Sequence, residues 1–524
     1  MNVGFIRLVY PLFIIFVLGL FFLLSNSWGY SIYIVDEAAN AQCAREMWLN
    51  CDFIIPRING ELRPDKPPLH YFFMTIAYSL FGSTPFAARF FSAVFGALTL
   101  VITFQACKDF LNEKKAWLCF LILLSSIGFQ VQFHLATPDP YLIFFLTASM
   151  ITFCYYVRSK QIAYLCICYC SIALGFLSKG PIALLFPSLT IFIYFLSKRQ
   201  YRFFSDIKPL LGMLLFIAIV LPWFYLVHKE SNGEWTKGFF IRHNFERFIE
   251  PKEKHSALFI FPSLFALALL LPYSTFIVQA VRKSLKNQNI LIHVCLLFST
   301  IVILFFSVAS TKLPNYLSPV IIFLAIVLSN YLIELNDKEW RKEKIYISAF
   351  PILALLLSAI VYISISFETL FFFIESTNII LALLLLTISF ILISFFYLNK
   401  KVKALIVSFI CTSLLLSQFI FYIIFPLGDK FNPVINSIEE IKKHQHIAIY
   451  KRSNIAYFFQ LPHPVKMIYY PKDLEQYVKK HDDVVIMTRQ KFLHTLGKAA
   501  PLLKQSFKEK DPLDGTTTII LEKK

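Results

Sequence analysis

PPLHYFFMTIAYSLF, residues 67–81, is apolar enough to enter a bilayer but short for crossing one. A spanning helix needs about 20 mostly apolar residues, and this run is headed by two prolines. Its status sets the side on which every later loop lies. If it rests in the interface, spans follow at 88–107, 116–134, 139–157, 161–177, 180–197, 209–228, 257–280, 290–308, 314–333, 345–366, 378–398 and 404–425. Arg7 precedes an earlier run at 8–24, and no small-residue cleavage site follows that run, so it reads as a first span with a cytoplasmic N-terminus. On this count about 13 helices cross. The connectors 108–115, 158–160, 198–208, 281–289, 334–344 and 398–403 then share one side and hold 19 Lys/Arg, against 2 in the short opposite connectors. Positive residues collect on the cytoplasmic side. A crossing at 67–81 would reverse that bias, so the segment reads as re-entrant or interfacial.

Composition agrees with a polytopic membrane protein. Of 524 residues, 57% are hydrophobic and 16% charged, where a soluble globular chain has about a quarter charged. That excludes a water-soluble enzyme and a disordered chain. The net charge of +18 sits largely in short connectors, as a topology signal does, and not on one soluble face as in a nucleic-acid reader. The ten cysteines show no zinc-type CxxC spacing. Cys166, Cys168 and Cys170 read as packing residues. Cys43 and Cys51 share a polar loop, where an oxidising compartment would permit a disulfide.

The expected architecture is therefore an α-helical polytopic membrane domain, residues 1–426, with outer loops at 25–87 and 229–256. Beyond it, residues 427–524 change in character. Short strands are expected at 447–450, 465–469, 484–488 and 517–521, with a helix near 474–480, which describes a small α/β domain. It carries no metal, nucleophile or phosphate-loop motif, and support or recognition is its expected role.

Some charged residues are left over once topology is accounted for. Lys179 in SKGP and Lys312 in TKLPNY sit at membrane depth beside proline-marked helix ends. They read either as snorkelling side chains or as cations facing an anionic substrate. VDEAANAQCARE places Asp36 and Glu37 beyond the first helix, and RPDKPP places Asp65 and Lys66 before the interfacial one. Asp139 in ATPDPYL reads as a helix cap or as a third carboxylate on the same face. FFIRHNFERFIEPKEKH brings Arg242, His243, Arg247 and His255 close in sequence, a mix suited to phosphate. No Walker loop or GxGxxG occurs, so no nucleotide cofactor is expected.

The blocks from Val35 to Phe73, FLSKGPIALLFP, FFIRHNFERF and TKLPNYLSPV resemble those of the bacterial polyprenyl-phosphate-dependent glycosyltransferases of the GT-C type, the lipid A aminoarabinose transferases above all, with protein O-mannosyltransferases as relatives. The resemblance covers about residues 1–330. It implies a thirteen-helix enzyme of the bacterial inner membrane with its active site and C-terminal domain periplasmic. A sugar, of the amino-sugar kind, would pass from undecaprenyl phosphate to lipid A or another envelope acceptor. It assigns catalytic roles to Asp36, Lys66 and Asp139, and substrate-binding roles to Glu37, Lys179, Arg242, Arg247, Lys312 and Tyr316. It also implies a divalent metal such as zinc, held by Asp65 with either His243 or His255. The expected partners are lipids and no nucleic acid, and the expected state is a monomer. Two departures stand out. Asp65 takes a position that is Glu in the close family, and Asn40 one that is usually aromatic. The competing readings are a protein O-glycosyltransferase, a core-sugar or envelope-glycan transferase, and a lipid-linked sugar flippase, although no pair of broken helices repeats.

Overall fold

The structure is a computed structural model that describes residues 3–200, 203–246, 260–271, 273–310, 312–335, 376–461, 464–511 and 515–524. The chain forms two compact units. One comprises Met1–Ser25, Pro64–His70 and Arg89–Ile420, the other Asn26–Arg63, Tyr71–Ala88 and Phe421–Lys524.

The first unit is built from apolar helices. Among the described residues, seven helices are long and apolar enough to cross a membrane, or up to nine if each of two bent pairs is one span. Shorter apolar helices include Ile182–Ser197 and, mostly in the second unit, Leu69–Phe81, and the expected span at 345–366 lies outside the described residues. Leu69–Phe81 has 13 residues, and at about 1.5 Å per residue it falls well short of the roughly 30 Å hydrocarbon core. The helix Ser318–Leu332 is buried along its whole length, as expected where apolar residues cover every face. Gly175 permits close packing, because a Cβ there would lie 3.1 Å from the Ala183 methyl.

The run at 116–134 is expected to be straight, yet the structure breaks it. Glu113–Ser125 and Ile127–His134 meet at 63°, with Ser126 extended between them. Side chains compensate for the interrupted ladder: Gln130 donates its amide to the Leu124 carbonyl, and Ser126 Oγ donates to Ile122 O at 2.6 Å. Away from water, backbone groups released by a kink need such partners. Gly128 sits where a Cβ would meet the Leu269 carbonyl at 2.5 Å, so the broken segment closes directly onto the backbone of Phe261–Leu269. The expected span at 257–280 is also bent, as Phe261–Leu269 and Tyr273–Ser284 at 118°.

The second unit holds a five-stranded sheet in the order β4-β3-β5-β7-β6. Its strands are β3 (His446–Tyr450), β4 (Lys466–Ile468), β5 (Val484–Arg489), β6 (Leu503–Lys510) and β7 (Thr517–Lys523). β3 pairs parallel with β4 and β5, while β7 is antiparallel to β5 and β6. Ala448, Tyr450, Ile468, Leu474, Ile486 and Leu521 lie in its core. Sequence patterning finds four of these strands and misses β6. LKQSFKEK alternates too weakly, because β6 is an edge strand with mostly exposed polar side chains, a common way to keep edges from pairing with other chains.

The same unit takes in much of the first loop. The helix Val35–Asn50 is followed by a small hairpin, β1 (Arg57–Ile58) and β2 (Glu61–Leu62). Arg45 donates to the carbonyls of Phe459 and Leu461, both at 3.0 Å. Asn59 exchanges two 2.8 Å bonds with the Val465 backbone, and Ser31 Oγ donates to Asp429 at 2.5 Å. A Cys43–Cys51 disulfide is not formed. Cys43 is buried in the helix and Cys51 caps its C-terminus, both as free thiols. Eight residues along one helix span about 12 Å, too far for a bridge.

Candidate active site

Pro64–His70 belongs to the first unit and presents Asp65 and Lys66. Lys66 Nζ lies 3.0 Å from Asp65 Oδ1, and His243 Nδ1 approaches the same oxygen at 3.2 Å. Asp65 and Lys66 are largely buried, while His243 is about one-third exposed. His243 is carried by Gly238–Phe245, a π-helical turn, a form of helix that recurs at functional sites. Gly238 is required where it stands, because a Cβ there would fall 2.6 Å from Pro64 Cγ. That contact seats the π-turn against the Asp65 loop. Of the two histidines left open by the sequence, His243 meets Asp65; His255 and Arg247 lie outside the described residues.

A second cluster forms at the ends of two neighbouring helices. Asp139 opens Asp139–Ser159 and Lys179 closes Ile162–Lys179. One helix leads out and the next returns, so the two termini meet and the side chains pair as donor and acceptor. Pro138 takes the N-cap place, and Asp139 lies one residue inside the helix. An acid at an N-terminus and a base at a C-terminus each suit the local helix dipole. Asn315 Nδ2 reaches the other Asp139 oxygen at 3.5 Å. The Lys179 ammonium also lies 5.3 Å from the centre of the Tyr316 ring, within cation–π range, and Tyr316 packs on Phe306.

The π-turn links these clusters. Gly180 follows Lys179 with φ +94°, and a Cβ on it would sit 2.7 Å from Phe239 Cζ. Phe239 is fully buried and stacks on Trp235 at 5.0 Å. One short segment thus touches the Asp65 loop through Gly238 and the Lys179 helix end through Phe239.

The remaining expected residues are placed differently. Lys312 Nζ donates to Ala309 O at 2.8 Å, closing the end of Ile290–Val308. Arg242 is exposed. Asp36 and Glu37 occupy the first turn of Val35–Asn50 in the second unit. Asp36 is exposed and Glu37 fully buried. Asn40, in the usually aromatic place, is buried as well. It donates to Asp36 O at 2.8 Å and accepts from Arg63 at 3.2 Å and from Tyr71 at 3.4 Å. Sequence reasoning passed over Asn315, although it lies inside the TKLPNY block, and it passed over Gln132, which accepts from Ser318 at 2.7 Å.

Asp65 and His243 offer an oxygen and a nitrogen within reach of one point, a donor pair suited to zinc. Two protein ligands are fewer than the three of a catalytic zinc site, so other groups would have to complete the coordination. Lys66 shares the same oxygen and would compete with an ion there.

Residues 65–226 match the family model described as dolichyl-phosphate-mannose-protein mannosyltransferase. The undecaprenyl phosphate-alpha-4-amino-4-deoxy-L-arabinose arabinosyl transferase of Aeromonas salmonicida is 30% identical over 323 residues, 60% of this chain and 58% of that protein. An uncharacterized protein of Aquifex aeolicus is 30% identical over 322 residues, 60% of this chain and 62% of its own length. The matched region thus spans about three-fifths of these relatives. ArnT from Cupriavidus metallidurans, solved bound to undecaprenyl phosphate, superposes with a TM-score of 0.77 at 18% identity, covering 99% of this chain and 98% of that one. By fold this chain is similar to ArnT, and within it residues 65–226 match the mannosyltransferase family model.

Proposed function

We propose that the protein is an inner-membrane glycosyltransferase that moves a sugar, of the aminoarabinose kind, from undecaprenyl phosphate to lipid A or another envelope acceptor on the periplasmic side. The observation that carries this is the pair of linked clusters, Asp65–Lys66–His243 and Asp139–Lys179–Tyr316, in a unit whose fold is that of a protein solved with undecaprenyl phosphate. In the reaction, the bond from the anomeric carbon to the phosphate oxygen breaks and that oxygen keeps the electron pair. The acceptor oxygen forms the new bond to the same carbon.

Negative charge builds on the leaving phosphate, and a fixed cation in a low-dielectric site stabilises it strongly. Lys66 is that cation, held in place by Asp65. Lys179, paired with the buried Asp139, orients the donor while Tyr316 supplies an aromatic face. An acceptor hydroxyl must lose its proton to a base, the role that the family resemblance assigns to Asp36; an acceptor phosphate is already ionised and needs only orientation. A divalent ion on Asp65 and His243, when bound, would neutralise donor phosphate charge.

The test compares envelope fractions from cells with and without the gene by mass spectrometry. Loss of an aminosugar mass from lipid A supports the reading, and restoration by the wild-type gene but not by a Lys66→Ala gene ties it to this site. Unchanged lipid A with altered glycoprotein would favour protein O-glycosylation, which the family match at 65–226 makes the second reading.

A further inference from the structure

The C-terminal sheet carries a group of ligand-type side chains that the transfer reaction does not use. Glu440, His444 and Glu522 each direct one ligand atom to a common region, all within 4.8 Å of one another. Glu440 lies in the last turn of Pro433–Ile441, His444 four residues further on, and Glu522 near the end of β7. Carboxylates alone would make an ordinary acidic patch; the histidine makes this a different object. His444 Nδ1 lies 2.5 Å from Asp483 Oδ1. The other Asp483 oxygen accepts from the Gln445 backbone N–H at 2.8 Å, which fixes the carboxylate. With Nδ1 donating to Asp483, the neutral imidazole carries its lone pair on Nε2, and Nε2 faces Glu522 Oε1 at 3.8 Å. That spacing is long for a hydrogen bond. Two tetrahedral ligands each about 2.1 Å from zinc stand roughly 3.4 Å apart, so a small closure would seat an ion between them. A carboxylate behind a ligating histidine is also the usual outer support of zinc sites.

We propose that Glu440, His444 and Glu522 form a zinc site, with Asp483 as the supporting carboxylate, that ties the end of Pro433–Ile441 to β7. Lysines are its competitors in the metal-free state. Lys443 pairs with Glu440 at 2.6 Å and Lys504 with Glu522 at 3.4 Å, and zinc would displace both. The ion bridges a helix end and the last strand, so its role is to staple the sheet, and binding to the folded form alone raises stability by mass action. This inference is independent of the glycosyltransferase reading.

Full-length protein in detergent, stripped with chelator and dialysed against zinc chloride, tests it through metal content per chain. Wild type should hold one more zinc than either His444→Gln or Glu522→Gln, whether or not Asp65 and His243 bind another. Equal zinc content in the wild type and both folded variants overturns the proposal. A measurement on the wild type alone guards against variants that misfold. Stoichiometric zinc should protect His444 from diethyl pyrocarbonate, read by peptide mass spectrometry, and equal modification with and without zinc overturns it as well.

Discussion

Asp139 and Lys179 pair across the ends of two consecutive helices, with only 2% and 11% of their side chains exposed. A charge pair so far removed from water gains much of its attraction merely to offset desolvation. Its value lies in where it holds a cation, since Lys179 also faces the Tyr316 ring.

Removing one partner should therefore cost more than removing both. Asp139→Asn or Lys179→Met alone leaves a buried charge and should lower stability by about 3–5 kcal/mol. The double variant should recover most of that loss while transfer activity stays low. Chemical unfolding in detergent, read alongside a transfer assay, separates the two effects.

Lys66→Ala should lower turnover by roughly 10²–10³, the typical loss for one charge-stabilising group. Substrate affinity should change much less, because the charge develops chiefly as the phosphate departs. Steady-state kinetics with a polyprenyl-phosphate sugar donor would show the split between kcat and KM.

Gly180→Ala should destabilise the site by about 1–3 kcal/mol. Its φ of +94° disfavours a side chain, and the new methyl would strike Phe239. Displacing Phe239 moves the π-turn that carries His243, so any zinc bound through Asp65 and His243 should weaken too. Thermal unfolding and metal titration of the variant give the two readouts.

Arg45→Ala should leave the carbonyls of Phe459 and Leu461 without their donor. Uncompensated polar groups cost about 1–3 kcal/mol. Burial holds the Arg45 guanidinium below its usual range. Hydrogen exchange should rise in Val35–Asn50 and in Ala456–Gln460.

The sheet should also lose stability in acid. The Gln445 N–H, and then His444, hold the Asp483 carboxyl below the usual aspartate range. A depressed folded-state value means the unfolded chain takes up the proton first, so the contribution is complete above about pH 5 and fades as pH falls below about pH 4. Asp483→Asn should flatten that part of the profile in thermal melts between pH 6 and 3.

Much of this architecture is local in origin and therefore legible in the chain. Helices such as Asp139–Ser159 and Ile290–Val308 coincide closely with the expected runs, because an unbroken apolar stretch in a bilayer has few alternatives to a helix. Four strands of the sheet follow from their alternation. The edge strand β6 did not, since its exposed faces are nearly all polar. The break at Ser126 escaped notice because it depends on Gln130 and on the approach of Leu269, neither visible in hydropathy.

Hydropathy, charge placement and short motifs were enough to mark the membrane class and to pick out the charged residues that topology does not explain. Which of them meet is a matter of long-range packing. His243 reaches Asp65 because Gly238 lets the π-turn close on Pro64, Lys179 turns to Asp139 and Tyr316, and Lys312 turns back on its own helix end. Secondary structure answers to neighbours in the chain, whereas a side chain's partner can lie 40 or 176 residues away, and only folding brings that distance to zero.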